Sequence, residues 1–115
     1  MDIKSISSLS YRVSDIDKTK EFYETLGFRF ASTDPPGILT AYINWFSVRF
    51  YQEPIEGQLG IGQATHLKVD DAKECYDALV AKGLSPNGEP QKLPDGSRGF
   101  ELNDPDGYRL IFFEK

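Results

Sequence analysis

The sequence has little cysteine: Cys75 is the only one among 115 residues. An intrachain disulfide is therefore impossible, and the chain must draw its stability from a buried core. A chain of this length is long enough to bury a modest core without disulfides or a structural metal. Because disulfides are typical of oxidising compartments, we expect a cytoplasmic protein.

Long hydrophobic runs are absent too. The uncharged apolar stretches are short, such as residues 43–48, whereas a membrane-spanning helix needs about 20 apolar residues. The first residues, Met1 to Lys4, lack the basic and then apolar layout of a signal peptide. We therefore expect no membrane partner.

Positive charge is scarce as well. Thirteen Lys and Arg against 18 Asp and Glu leave a formal net charge of −5. Nonspecific nucleic-acid binding requires a basic surface, so no nucleic-acid partner is expected. What the chain does have is aromatic bulk, with eight Phe and six Tyr, which argues against a disordered protein.

An internal repeat organises the chain. Val13 and Gly27 of the first half are matched by Val69 and Gly83 of the second, and the spacing from valine to glycine is the same in both pairs. In both copies an alternating strand leads into a helix with an apolar stripe, and the glycine ends that helix. The chain therefore predicts the same unit twice.

Three further strands are predicted after each helix, separated by turn-forming residues. They cover residues 27–32, 38–43 and 46–52 in the first copy, and residues 89–93, 98–103 and 108–114 in the second. The predicted fold class is α+β, with two tandem βαβββ modules. Module one spans about 1–52, a linker about 53–62, and module two about 63–115.

Two motifs resemble a known family. Residues 15–28, with Phe22-Tyr23 and Leu26-Gly27-Phe28, resemble the first helix of glyoxalase I, extradiol dioxygenases and bleomycin resistance proteins. Residues 103–110, Asn-Asp-Pro-Asp-Gly-Tyr-Arg-Leu, resemble their last hairpin. Together with the repeat, they make the chain similar to the vicinal-oxygen-chelate superfamily. The resemblance implies a single domain, residues 1–115, in which a curled mixed sheet surrounds a cup and the helices lie outside.

Enzymes of that superfamily hold a divalent metal in the cup through His or Glu side chains on the strands. The matching positions here are Ser8, Arg49, Ala64 and Ile111. None of these side chains is a usual metal ligand, and a cation at Arg49 would repel a metal. We therefore expect no metal, no cofactor and no catalytic residue. His66, the only histidine, becomes a ligand only if the strand register shifts by two positions.

Strand alternation predicts which side chains line the cup. The predicted ligand-binding residues are Ser8, Ser10, Arg12, Trp45, Ser47, Arg49, Tyr51, His66, Glu101, Arg109, Ile111 and Phe113. Arginines outnumber the one acid among them, which favours a ligand with an anionic or carbonyl group, and the aromatic residues favour a planar one. The alternative is that Arg49 pairs with Glu101 and the long side chains reach solvent.

Three functions fit these expectations. The first is a metal-free, homodimeric binding protein that resembles the antibiotic-sequestering bleomycin resistance proteins. A basic cup argues against a cationic glycopeptide drug, so the ligand stays open, as does whether one chain or a dimer forms the cup. The second is a metal-dependent lyase or isomerase of the glyoxalase type, or a dioxygenase-like enzyme, against which the missing ligands count. The third is an effector-binding or interaction module.

Overall fold

The computed structural model describes residues 1–53 and 63–114 of the chain. The chain consists of two compact units, and the boundary between them lies between residues 57 and 58. The repeat in the sequence therefore corresponds to two separate modules of structure. Of the predicted linker, residues 54–62 lie outside the described residues.

Module one is a four-stranded mixed sheet with one helix. Its elements are β1 (Leu9–Val13), α1 (Ile16–Thr25), β2 (Arg29–Phe30), β3 (Ile38–Ile43) and β4 (Phe46–Gln52). The strand order is β1-β4-β3-β2. The first strand runs parallel to β4, and the other pairs are antiparallel.

Module two repeats this arrangement. Its elements are β5 (Ala64–Lys68), α2 (Ala72–Ala81), β6 (Gln91–Lys92), β7 (Arg98–Asn103) and β8 (Arg109–Glu114). The strand order is β5-β8-β7-β6, with β5 parallel to β8. The predicted α+β class and the two tandem βαβββ modules are confirmed.

The second strand of each module is shorter than predicted. Only two residues pair in β2 and in β6, against the predicted ranges 27–32 and 89–93. In module one the cause is local, because residues 27 and 28 still belong to the helix end. The Phe28 N–H donates to the Tyr23 carbonyl oxygen at 3.0 Å, so this part of the chain closes the helix instead of pairing with β3.

Both helices begin and end in the same way. Asp15 and Asp71 cap α1 and α2, and their carboxylates accept hydrogen bonds from N–H groups of the first turn. Gly27 and Gly83 follow the helices with φ of 95° and 88°, the left-handed conformation that glycine adopts without strain. The two glycines therefore end the helices as the sequence predicted, and the two aspartates determine where the helices begin.

A further contact at the helix starts was not predicted. The last residue of β4, Gln52, accepts a hydrogen bond through Oε1 from the Ile16 N–H at 2.8 Å. The last residue of β8, Glu114, accepts one in the same way from the Ala72 N–H at 3.1 Å. In each module, the final strand thus satisfies a helix N–H that has no partner within its helix.

Each helix covers one face of its own sheet, and the core lies there. In module one the Phe50 ring is 4.9 Å from the Tyr23 ring, and in module two Phe100 and Phe112 stack at 5.0 Å. Leu9 belongs to the covered face by alternation with Val13, but it is 55% exposed because α1 packs over β3 and β4.

The sheet face opposite each helix is called the open face below. It carries the alternate strand residues that were predicted to line a cup. Among the described residues, no helix is long and apolar enough to cross a membrane.

Candidate ligand-binding site

Strand register brings three of the predicted residues side by side on the open face of module two. His66 lies opposite Ile111, and Ile111 lies opposite Glu101. Neighbouring strands are about 4.8 Å apart, so His66 and Glu101 flank the Ile111 side chain. Arg109, two residues before Ile111 on β8, shares this face.

A pocket of about 290 Å³ lies over these residues and is called the module-two pocket below. Its size is close to the lower end of the roughly 300–1,000 Å³ found for small-molecule sites. It combines apolar and polar side chains, as such sites usually do. The lining residues are His66, Gln91, Leu93, Pro94, Asp95, Phe100, Glu101, Arg109 and Ile111.

A second depression, of about 540 Å³, lies beside the turn between β6 and β7. It is lined by Asp95, Gly96, Ser97, Arg98 and Glu114. This set contains no large apolar side chain and none of the predicted ligand-binding residues. Although it has the larger volume, it offers less for a ligand to pack against than the module-two pocket does.

An ion pair between Arg109 and Glu101 forms one wall of the module-two pocket. Arg109 Nε and Nη2 each lie 2.8 Å from Glu101 Oε1. Glu101 Oε2 accepts a hydrogen bond from Asn87 Nδ2 at 3.0 Å, and this amide also donates to Asn103 Oδ1 at 3.0 Å. One edge of the guanidinium is therefore held, while Nη1 has no hydrogen-bond partner among the described residues.

The Glu101 carboxylate was also the subject of one interpretation of the sequence. The alternative interpretation of the sequence paired Glu101 with Arg49. In the structure both carboxylate oxygens of Glu101 are bound by residues of its own module, Arg109 and Asn87. Arg49 is exposed on module one and has no ion pair with the described residues of that module.

Asp95, in the turn between β6 and β7, provides a fixed negative charge at the pocket. The Ser97 hydroxyl and N–H donate to Asp95 Oδ1 at 2.6 and 3.0 Å. These bonds lower the pKa of the Asp95 carboxyl below its ordinary value, and the charge of His66 lowers it slightly further. Asp95 Oδ2 accepts no hydrogen bond from the described residues, so it remains available to a ligand.

Gly99 allows the turn to approach the open face. It is buried on β7, opposite Phe113. A Cβ at this position would lie 2.9 Å from Leu93 Cδ1 and would collide with the carbonyl oxygen of Phe112. The missing side chain therefore leaves room for Leu93, which forms an apolar wall of the pocket.

Four of the predicted ligand-binding residues line this pocket: His66, Glu101, Arg109 and Ile111. Phe113 lies beside it, with its ring 6.3 Å from the His66 ring. The other seven lie in module one and are Ser8, Ser10, Arg12, Trp45, Ser47, Arg49 and Tyr51.

The module-one residues form no comparable cluster of fixed contacts among the residues that the structure describes. Ser10 lies opposite Arg49 on the open face. Arg12 Nε is 4.0 Å from a carboxylate oxygen of Glu53, and both side chains are largely exposed. Trp45 occupies the turn between β3 and β4 and is 97% exposed.

Sequence reasoning missed five lining residues of the pocket. They are Gln91, Leu93, Pro94, Asp95 and Phe100. Residues 94–96 were interpreted only as a turn, and Phe100 belongs by alternation to the covered face. The one signal in the sequence was Asp95, an acidic residue in a turn beside a strand predicted to line the pocket. The sequence does not show in which direction this turn folds.

Comparison with known proteins decides the family. A family model described as the Glyoxalase/Bleomycin resistance protein/Dioxygenase superfamily matches residues 5–112. The chain belongs to this superfamily. Its vicinal-oxygen-chelate fold is therefore established over nearly the whole sequence. No curated protein sequence matches the chain.

Solved structures of the superfamily share the fold at low sequence identity. A bleomycin-binding protein complexed with bleomycin is 23% identical, with a TM-score of 0.76 over 98% of this chain and 99% of that one. A bleomycin resistance determinant encoded on the transposon Tn5 is 23% identical, with a TM-score of 0.77 over 97% and 98%. Lactoylglutathione lyase from Agrobacterium tumefaciens is 15% identical, with a TM-score of 0.75 over 99% and 96%.

Among the residues that the structure describes, no group of side chains is suited to the divalent metal of the superfamily's enzymes. Within residues 1–53 and 63–114, no three His, Cys, Asp or Glu side chains are grouped so that they could hold a metal ion. In the pocket, Glu101 is already bound by the Arg109 guanidinium, which would repel a second cation.

Proposed function

We propose that this chain is a small-molecule-binding member of the superfamily that holds its ligand in the module-two pocket without a metal. The observation that carries the proposal is the set of open polar positions around an apolar floor. Arg109 Nη1, Asp95 Oδ2 and the His66 ring have no hydrogen-bond partner among the described residues, and Ile111, which lies between His66 and Glu101, lines the same pocket. A few convergent polar groups on an apolar surface are typical of ligand sites.

A structurally similar protein supports a binding function without catalysis, since it is a bleomycin-binding protein solved in complex with bleomycin. The volume of the pocket limits how far this analogy extends. About 290 Å³ corresponds to roughly ten water molecules at about 30 Å³ each. A ligand held wholly in this pocket is therefore far smaller than a glycopeptide antibiotic, which would place only one of its groups there.

The proposal includes the remaining expectations from the sequence. The two modules form a single domain, and the protein is a cytoplasmic homodimer with module-one residues such as Arg49 and Tyr51 as further ligand contacts. Enzymatic activity of the glyoxalase type is less well supported, because the described residues provide no metal-binding group. An interaction module is favoured by no specific arrangement of the described side chains.

Titration of the ¹⁵N-labelled protein with bleomycin and with a library of small acids, amines and neutral aromatic compounds tests the proposal by NMR. We expect binders to shift the amide signals of His66, Glu101 and Ile111. Ile111→Arg, which fills the pocket, should abolish these shifts. Val80→Arg is the matched control, because Val80 is 46% exposed on α2 and lies outside the pocket.

Two outcomes would contradict the proposal. One is a library in which no compound shifts the pocket signals. The other is binding that persists unchanged in the Ile111→Arg protein, since the ligand would then lie elsewhere.

A further inference from the structure

We propose that the pocket selects a small organic cation, such as a primary amine, and that Asp95 determines this specificity. The inference rests on the proposed function and concerns the charge of the ligand. It changes the expectation from the sequence, in which the arginines predicted an anionic ligand.

The charges that line the pocket do not cancel. Glu101 is matched by Arg109, whose Nε and Nη2 both lie 2.8 Å from one of its oxygens. Asp95 has no ion-pair partner among the described residues. Apart from the imidazole of His66, the pocket is lined by two carboxylates and one guanidinium, whose formal charges sum to −1. A monocationic ligand would neutralise it.

The two carboxylates also differ in their capacity to accept a new hydrogen bond. Glu101 uses both oxygens, one for Arg109 and the other for Asn87. Asp95 receives both of its Ser97 hydrogen bonds on Oδ1. Oδ2 of Asp95 is therefore the open acceptor of the pocket, and an ammonium group is a strong donor to a carboxylate.

The backbone of the turn holds this acceptor in place. The Leu93 N–H donates to the Ser97 carbonyl oxygen at 2.7 Å, and the Gly96 N–H donates to the Leu93 carbonyl oxygen at 2.9 Å. Asp95 therefore sits in a closed turn, and its carboxylate is oriented before a ligand arrives. Such preorganisation reduces the entropy cost of binding.

The remaining lining residues define the rest of the ligand. Ile111 and Leu93 provide apolar surface for an aliphatic or aromatic body. Arg109 Nη1 offers a donor to a carbonyl or hydroxyl oxygen of the ligand. The structure thus points to an amine on a compact apolar body, with room for one oxygen acceptor.

Benzylamine, benzyl alcohol and sodium benzoate test the inference, because they share a ring and differ in charge. Each is titrated into the ¹⁵N-labelled chain at neutral pH, and the amide shifts of His66, Leu93, Ile111 and residues 95–97 are followed. We expect benzylamine to bind most tightly and benzoate least tightly. Asp95→Asn should weaken benzylamine binding roughly tenfold, while benzyl alcohol should change little.

Asp95→Asn is a mild change, since the amide oxygen can still accept the hydrogen bonds from Ser97. Asp70→Asn is the matched control, because Asp70 is an exposed carboxylate of the same module that does not line the pocket. It removes the same charge from the protein and should leave all three affinities unchanged. Equal loss of benzylamine binding in both variants would mean that net charge, and not Asp95, attracts the amine.

The outcomes separate this inference from the proposed function. If benzoate or benzyl alcohol binds in the pocket as tightly as benzylamine, the selection for cations is wrong although the pocket binds small molecules. If benzylamine shifts no pocket signal, the inference that the pocket selects cations is also wrong. The proposed function then fails as well only if the wider library and bleomycin also leave the pocket signals unchanged.

Discussion

Arg109 and Glu101 are joined through one carboxylate oxygen, to which Nε and Nη2 of the guanidinium both donate at 2.8 Å. Their side chains are 44% and 31% exposed, so solvent screens the attraction between them. The pair therefore contributes little to stability. Its consequence is orientation: one edge of Arg109 is fixed, and the other is left for a ligand.

Arg109→Ala should accordingly leave the fold intact. We expect the free energy of unfolding to fall by no more than about 1 kcal/mol, as is usual for exposed ion pairs. Urea denaturation measures this change. Arg98→Ala is a suitable control, because Arg98 is 58% exposed and lies 4.0 Å from Glu114 in the same module. A loss of several kcal/mol for Arg109→Ala alone would mean that the pair is structural.

Gly99→Ala should distort the pocket and destabilise module two. The added methyl group would collide with the Phe112 carbonyl oxygen and press against Leu93 Cδ1, and overpacking of this kind costs roughly 1–3 kcal/mol. Thermal unfolding and the Leu93 methyl signal in NMR report the two effects. Gly88→Ala is the control, since a Cβ there would meet no atom within 4 Å. Equal stability of the two variants would contradict the steric argument.

Asp104→Ala should destabilise the hairpin that carries the family motif. The Asp104 carboxylate is buried, and its Oδ1 accepts hydrogen bonds from the N–H groups of Asp106 and Tyr108, each at 2.9 Å. Leaving such donors unsatisfied costs about 1–3 kcal/mol. Asp104→Asn keeps an acceptor oxygen and should recover most of the loss in a urea denaturation experiment. If both variants lose stability equally, the charge of Asp104 matters more than these bonds.

The contribution of Asp95 to stability depends on pH because of its hydrogen bonds to Ser97. These bonds lower the pKa of the Asp95 carboxyl below the ordinary 3.8. Since the folded pKa lies below the unfolded one, the stability from this carboxylate is complete above the unfolded pKa and is lost as pH falls through the folded pKa. An NMR titration should give a midpoint below 3.8 that rises in Ser97→Ala. An unchanged midpoint in this variant would show that Ser97 is not the cause.

Removal of metal ions should change nothing. Because the described residues hold no group of metal-ligating side chains, dialysis against EDTA is expected to leave the melting temperature and the benzylamine affinity unaltered. Adding nickel, zinc, manganese or ferrous iron afterwards should have no effect either. Loss of binding on dialysis, with recovery on adding one of these metals, would revive the enzyme hypothesis.

Partial burial should make Cys75 a slow nucleophile. The pKa of the Cys75 thiol is raised, chiefly by burial on the apolar side of α2, and only the thiolate reacts quickly with disulfide reagents. We expect the native protein to react with Ellman's reagent at neutral pH much more slowly than the protein unfolded in guanidinium chloride. Equal rates would mean that α2 opens readily.

The sequence by itself determined the two modules and the position of the open faces. Aspartate caps and left-handed glycines act within a few residues, so Asp15 and Gly27 could be found without a structure. Strand alternation also acts locally, and it placed His66, Glu101, Arg109 and Ile111 on one face of module two. The extent of pairing in β2 was less predictable, because it depends on how far the hydrogen bonds at the end of α1 extend along the chain.

Only the tertiary structure decided what surrounds those four residues. It showed that Glu101 binds Arg109 and Asn87, that Leu93 packs against the bare Gly99, and that Asp95 lines the pocket. Each of these contacts joins different segments of module two or depends on the direction in which a turn folds. Periodicity and turn propensity describe a residue and its near neighbours, whereas the charge of a pocket is the sum over side chains that only the folded backbone brings together.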